Sequence, residues 1–309
     1  MIIKHRSIPL RILKHEALLR RISNNHPKRI EIERNLTKNL AGYKGEKTID
    51  YHLEHLKDFM ILHDVRLSIN NLTFQIDTLL LSSKFLLLLE IKNIFGTLIF
   101  DHEFKQLIRK NKEDKEEGFP TPLAQANRHS ILLKKWLDTH TKFNLPIEYF
   151  IVISHSSTIL KTSTNSIQLF DKVFHAQHLI EKINTMQKKY RTEHLDEKSL
   201  KKLSKLIIKA HSLEDFNILS YYKMEESEVI PGVACPNCKQ IGMVRLHGCW
   251  KCPSCTHLSK DAHLSTISDY FLLIDDRLTN HKFCEFSLLA SPNIASRILT
   301  THLPHSGSN

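Results

Sequence analysis

The run Phe85-Leu-Leu-Leu-Leu-Glu90-Ile91-Lys92 constrains this chain more than any other segment. Five consecutive apolar residues, too short for an ordinary helix, read as a β-strand covered on both faces. A carboxylate and an ammonium at its end would cost several kcal/mol unless both find partners. Residues two apart in a strand share a face, so Glu90 and Lys92 point together. The preceding strand repeats the pattern, with Gln75 and Asp77 interrupting Phe74, Ile76, Leu79, Leu80 and Leu81. Two acids and a lysine at the ends of adjacent strands suit a hard divalent cation such as Mg²⁺, which takes carboxylate oxygens and keeps waters a lysine can orient. The same residues also suit a buried Asp–Lys–Glu ion network with no chemistry.

Around these strands the hydrophobic period changes several times. Ile8 to Ile22 reads as a basic amphipathic helix carrying Arg11, Lys14, Arg20 and Arg21, either a solvated face or a phosphate-contacting one. Gly42 and Gly45 punctuate the chain before a helix predicted over Glu46 to Lys57. Strands are predicted over Phe59 to Leu67, Leu72 to Leu81, Phe85 to Asn93, Gly96 to Phe100, Phe104 to Arg109 and Ile147 to Ser154. Lys110 to Glu117 reads as an exposed loop, and a helix runs from Pro122 to His140. Ser154 to Ser166 reads as loop; Gln177 to Arg191 and Asp196 to His211 read as helices with basic faces. Three short helical patterns, from Asp269, Asn280 and Asn293, could form a helix-turn-helix, with Thr279 as an N-cap. Pro304 to Asn309 reads as a frayed tail. The order is α/β, with a mixed sheet between helices. The expected segments are 1–40, 41–155, 156–228, 229–264 and 265–309: a basic helical arm, the α/β domain, a helical linker, a Cys-rich unit and a small helical end.

Gly45-Glu46, Gln75-Ile76-Asp77, Glu90-Ile91-Lys92-Asn93, Gly96, and Pro122 with Gln125 follow one another in an order that resembles the nuclease-related domain, NERD. This family is a branch of the PD-(D/E)xK nucleases. The resemblance covers Ala41 to Ser154, and the arrangement of arm, domain and Cys-rich unit is similar to Gram-positive bacterial members. It implies a restriction-endonuclease-like core and Mg²⁺-dependent (or Mn²⁺-dependent) cleavage of DNA phosphodiesters. On that pattern Asp77 and Glu90 ligate the metal and Lys92 positions the attacking water. Glu46 adds an acid at a helix start, and Gln125 a supporting polar contact. Read alone, Glu46 is equally a first-turn acid favoured by the helix dipole, and Gln125 an ordinary exposed residue. Phe104 stands where the family usually has Trp, and Thr121-Pro122 where it has Asn-Pro. The competing function is a non-catalytic DNA-binding or scaffold protein that keeps the fold.

Five of the six cysteines cluster. Cys235-Pro-Asn-Cys238 and Cys252-Pro-Ser-Cys255 are matched knuckles, the spacing of a Cys₄ zinc ribbon whose thiolates favour Zn²⁺ over harder ions. Cys249 could replace one ligand, since it too lies three positions before Cys252; the repeated Cys-Pro-x-Cys form selects Cys252 with Cys255. Cys284 reads as a buried apolar cysteine. Lys239, Arg245 and Lys251 are the ribbon's candidate phosphate contacts.

Charge points the same way: 44 Lys and Arg against 33 Asp and Glu give +11, which favours a nucleic-acid partner. No stretch approaches the about 20 apolar residues of a membrane helix, and no signal peptide is read. A cytoplasmic protein is expected; oligomeric state is open.

Overall fold

The structure, a computed structural model, describes residues 1–101, 103–162 and 171–303. The chain divides into two compact units: Met1–Ile8 with Leu40–Glu214, and Pro9–Asn39 with Asp215–Asn309.

The first unit is built on a six-stranded sheet ordered β1-β2-β3-β4-β8-β10. Its strands are β1 (Ile2–Lys4), β2 (Met60–Ile69), β3 (Leu72–Leu81), β4 (Leu86–Lys92), β8 (Ile147–Ile153) and β10 (Val173–His175). β2, β3 and β4 run antiparallel; β1 lies parallel to β2, and β4, β8 and β10 are mutually parallel. The apolar run before Glu90 is β4, with Leu86 to Leu89 at most 2% exposed. Both faces are covered, as the run requires. On one, Leu132, Leu133, Trp136 and Leu137 of helix α3 (Pro122–His140) pack beside Leu200, Leu203 and Ile207 of helix α5 (Glu197–Ala210). On the other, Ile49 and Leu53 of α2 (Arg29–Leu53) pack beside Leu179, Ile183 and Met186 of α4 (Leu179–Lys189). This is the mixed sheet flanked by helices that the sequence predicts.

Several elements differ from the sequence reading. The helix expected from Glu46 is the end of a 25-residue α2 that runs through Gly42 and Gly45. Each interior glycine costs about 1 kcal/mol, which the long helical flanks absorb. Glu46 is therefore inside a helix, beyond the first-turn dipole. Predicted strands at 96–100 and 104–109 do form, as β5 (Thr97–Asp101) and β6 (Gln106–Lys110), but in a separate sheet. That sheet is ordered β7-β6-β5-β9. β7 (Glu116–Pro120) overlaps the segment read as loop, and β9 (Ile159–Thr162) lies in the Ser/Thr-rich stretch, whose residues 163–166 are outside the described ones, as is the tail. The stretch read as a helical linker supplies β9, β10, α4 and α5, and both of these helices bury apolar faces on the main sheet.

The second unit holds two cores. One joins Ala17 and Leu18 of α1 (Leu10–Arg21), and Ile22 just after it, to Tyr270 and Leu273 of α7 (His263–Leu273), Phe286 of α8 (Asn280–Ser287) and Tyr222 of α6 (Ile218–Tyr222). The basic face of α1 is engaged here: Arg21, fully buried, and Arg20 both pair with Asp269, at 2.8 and 2.7 Å. Lys14 donates to the Phe216 carbonyl, and Arg11 lies over the Phe216 ring. The other core joins the Cys-rich hairpins β11 (Val244–Arg245), β12 (Trp250–Lys251) and β13 (Leu258–Ser259) to α8 and α9 (Pro292–His302). Thr279 caps α8 and Ser291 caps α9, each side chain accepting a first-turn amide. The first of the three terminal helices starts at His263, six residues before its predicted start.

Candidate active site and candidate metal centre

The alternation of β2 and β3 slips phase at one point. In β2 the residues on the α3 side are Met60 and Leu62, then Val65, Leu67 and Ile69; in β3 they are Phe74 and Ile76, then Leu79 and Leu81. Asp64 stands at the first slip with φ of +52°, a left-handed conformation that aspartate tolerates better than most side chains. Asp77 stands at the second. The ladder pairs His63 with Thr78 and Val65 with Ile76, so Asp64 faces Asp77. The ladder between β3 and β4 ends at Thr78 and Leu89, and beyond it the Asp77 Oδ2 accepts the Ile91 amide at 2.8 Å. A side chain thus takes over where the strands part, and the parting opens the site.

On the α3 side, Lys92 Nζ donates to Glu90 Oε1 at 2.6 Å and to Gln125 Oε1 at 3.1 Å. Glu90 is 4% exposed, Lys92 is partly exposed and Gln125 is exposed. His129, one turn beyond Gln125, brings Nδ1 to 3.7 Å from Glu90 Oε2. On the α2 side, Arg6 Nη1 reaches Glu46 Oε2 at 2.6 Å and Asp64 Oδ1 at 2.8 Å, and its Nε reaches Asp50 Oδ2 at 3.2 Å. Gly45 makes room for this helix: a Cβ there would lie 2.3 Å from Asn93 Cβ and 2.7 Å from Ser154 Oγ.

The structure therefore brings Lys92, Glu90 and Gln125 into direct contact and sets Asp77 beside them, with Glu46 across the strands. Phe104, by contrast, is 77% exposed. His129 and Arg6 escape sequence reading, as do Lys4, Asp50 and Asp64. His129 follows Gln125 by four residues, a same-face spacing that could have pointed to it. Arg6 carries no such signal, because only tertiary structure brings it to Glu46.

Burial, then the neighbouring Asp77 charge, pushes the Glu46 carboxyl up to about 8 against the opposing pull of Arg6. Burial and Asp77 do the same to Glu90, up to about 8, against Lys92. Asp77 is also raised by burial, although the Ile91 amide stabilises its charged form. Burial lowers His129 to about 4, helped by Arg128 and Lys92, so its imidazole is neutral. Five carboxylates (Glu46, Asp50, Asp64, Asp77 and Glu90) face three cations (Lys4, Arg6 and Lys92). Fully ionised, the five would outnumber the cations by two; Glu46 and Glu90 avoid this by holding their protons, which a divalent ion with oxygen ligands would displace.

In the second unit, the Sγ atoms of Cys235, Cys238, Cys252 and Cys255 all lie within 4.8 Å of one another. Cys235 is 3.6 Å from Cys255, and Cys238 is 3.5 Å from Cys252. A tetrahedron with metal–sulfur bonds of about 2.3 Å has edges of about 3.8 Å, so the four sulfurs are already placed for one metal. The knuckles repeat in detail. Cys235 accepts from Lys239 N and Cys252 from Thr256 N through their carbonyls, and Lys239 and Thr256 both adopt left-handed φ, +64° and +59°. Among the described residues this is the one set of three or more His, Cys, Asp or Glu whose ligand atoms converge so closely; Cys249 is outside it, and the carboxylates of the first unit do not converge to that degree. Lys239 and Lys251 are exposed, whereas Arg245 is half-buried with its guanidinium 5.2 Å over the Trp250 ring.

A mixed sheet between helices, with acids and a lysine where its central strands part, defines a nuclease-like α/β domain. Residues 41–154 match the family model of the nuclease-related domain, NERD, and the chain carries that domain together with a four-cysteine cluster compatible with a zinc ribbon. No curated protein and no solved structure matches the chain. No helix among the described residues is long and apolar enough to cross a membrane.

Proposed function

We propose that the first unit is a metal-dependent nuclease that hydrolyses DNA phosphodiesters. The observation that carries this reading is the desolvated pair Asp77 and Glu90, raised in proton affinity yet held beside a lysine in a nuclease-related domain. Asp77 and Glu90 would hold Mg²⁺ or Mn²⁺, which when bound acidifies water and offsets charge building on the phosphate. Lys92 Nζ would orient the attacking water, with Gln125 Oε1 fixing the ammonium through its hydrogen bond. Glu46 adds a further carboxylate from the α2 side, and neutral His129 offers a ring nitrogen to the second oxygen of Glu90. The four cysteines would hold Zn²⁺ with no open position, so the ribbon's part is structural.

The DNA partner rests on charge. α5 buries Leu200, Leu203 and Ile207 and turns Lys198, Lys201, Lys202, Lys205 and Lys209 to solvent, with Lys201 paired to Glu197. Lys239 and Lys251 add exposed charge on the ribbon, with Arg245 tucked behind them against Trp250. Such faces bind phosphates in a salt-dependent way.

One observation favours the non-catalytic alternative: Glu90 and Lys92 satisfy each other at 2.6 Å. Cleavage of supercoiled, linear and single-stranded DNA with and without added Mg²⁺ or Mn²⁺ separates the two. Asp77→Asn, Glu90→Gln and Lys92→Met should each lower cleavage by about 10²-fold or more while the protein stays folded and bound to DNA. Wild-type protein inert on every DNA form, with variants that melt several degrees early, would leave only the ion network.

A further inference from the structure

Arg6 lies outside the residues that match the nuclease-related family, yet its side chain is 3% exposed and points into the site. β1 pairs with β2 through Ile2 and Lys4, and Lys4 Nζ donates to the His63 and Asp64 carbonyls at 2.8 and 3.2 Å. That backbone clamp fixes where Arg6 begins. Its guanidinium then spends nearly all its donors on groups of the site: Glu46, Asp50, Asp64 and the Thr78 hydroxyl, the last at 3.0 Å. His63 Nδ1, on a buried ring, also lies 3.0 Å from Nη2. Asp64 Oδ2 is buried without a hydrogen-bond partner, leaving one acceptor of this carboxylate set to electrostatics alone.

We infer that Arg6 is a built-in cation of the site: it holds Glu46, Asp50 and Asp64 by hydrogen bonds and offsets part of their charge, so divalent-ion binding is confined to the Asp77–Glu90 side and stops at one ion. Three carboxylates from two elements, gathered around one point, would otherwise make a second hard-ion seat beside the first, as in two-metal phosphodiesterases. A guanidinium fills that place permanently and adds directional bonds that a hydrated ion would not. Arg6 is thus a positioning residue, and residues 1–8 are part of the catalytic apparatus although the chain leaves this unit directly after them. The inference rests on the reading that Asp77 and Glu90 hold a divalent ion.

The test is the number of Mn²⁺ bound by the full chain with its ribbon zinc retained, followed by calorimetry and electron paramagnetic resonance. Wild type should bind one Mn²⁺ that Asp77→Asn removes. Arg6→Gln should bind two, and its melting temperature should rise more steeply with Mn²⁺ than that of wild type. Arg6→Lys, which keeps the charge, should remain at one. Two ions in wild type, or one in Arg6→Gln, overturns the inference while leaving the metal reading intact. No Mn²⁺ in wild type beyond the Asp77→Asn control overturns both. Should Arg6→Gln be unfolded without Mn²⁺, circular dichroism decides: refolding as Mn²⁺ is added supports the inference, and failure to refold defeats it.

Discussion

Twenty residues separate the outermost cysteines of the ribbon, whereas the acid site gathers Arg6, Glu46, Asp64, Asp77, Glu90 and Gln125 from β1's flank, α2, three strands and α3. The first site is made by two short turns that need almost nothing from the rest of the fold. Its sulfurs converge because each knuckle folds back on itself through its own amides. The second exists only when a whole sheet is assembled with a helix on each face, and its carboxylates are held by Lys92 on one side and Arg6 on the other. Local spacing builds a closed site that suits structure. Distant assembly builds one whose charges are left partly unsatisfied, and unsatisfied charge is what chemistry can use.

The contrast can be broken most forcefully at the ribbon. Cys235 and Cys252 are buried in its core, so losing the metal should unfold the hairpins. Cys235→Ser should remove zinc and with it much of a stabilisation worth ~10–16 kcal/mol in small zinc peptides. Zinc content and far-ultraviolet circular dichroism check this. Cys249→Ser should keep full zinc, and its loss there would mean that the second knuckle is wrongly paired.

At the acid site the expected response is to pH. The folded-state proton affinities of Glu46 and Glu90, about 8, exceed the ordinary value of 4.5. Stability tied to those protons is fully present below about pH 4.5 and is lost as pH rises through about 8. Without added divalent ion, the melting temperature should fall between about pH 4.5 and 8 and level off above that, and Mg²⁺ should reverse the fall. Glu90→Gln, which cannot ionise, should flatten the slope. A melting temperature that stays level over this range in wild type would show that Lys92 and Arg6 already balance the site.

The smallest effect probes how closely α2 must approach. Gly45→Ala puts a methyl 2.3 Å from Asn93 Cβ, and Asn93 anchors to the Ala41 carbonyl at 2.6 Å. A loss of ~1–3 kcal/mol is expected, read from chemical denaturation. An unchanged midpoint would mean the loop after β4 yields freely.

What the sequence discloses follows the same division. The cysteine knuckles are legible because their geometry is written in consecutive residues. β3 and β4 are legible because Leu79 to Leu81 and Phe85 to Leu89 can be nothing but buried strand, and the polar residues among them stand out. α2 is misread at its start because two glycines look like a break, when one of them serves close packing. The separate sheet of β5 and β6 is hidden, since strand pattern says nothing about which neighbour a strand takes. Arg6 is hidden for the same reason: a lone arginine after Lys4 and His5 looks like any exposed basic residue until β1 docks.

The division of the chain also bears on synthesis. Residues 9–39 belong to the second unit, but their partners Phe216, Tyr222, Tyr270 and Phe286 are made only after Leu40–Glu214. At roughly 5–20 residues per second, those 175 intervening residues take roughly 9–35 s. Throughout that interval Ala17, Leu18 and Ile22 lack their later-made partners Phe216, Tyr222, Tyr270 and Phe286, and the guanidinium of Arg21 lacks Asp269. The nascent chain therefore carries an unfinished apolar helix while the intervening domain is already free to fold, and neither unit can be released by a single cut.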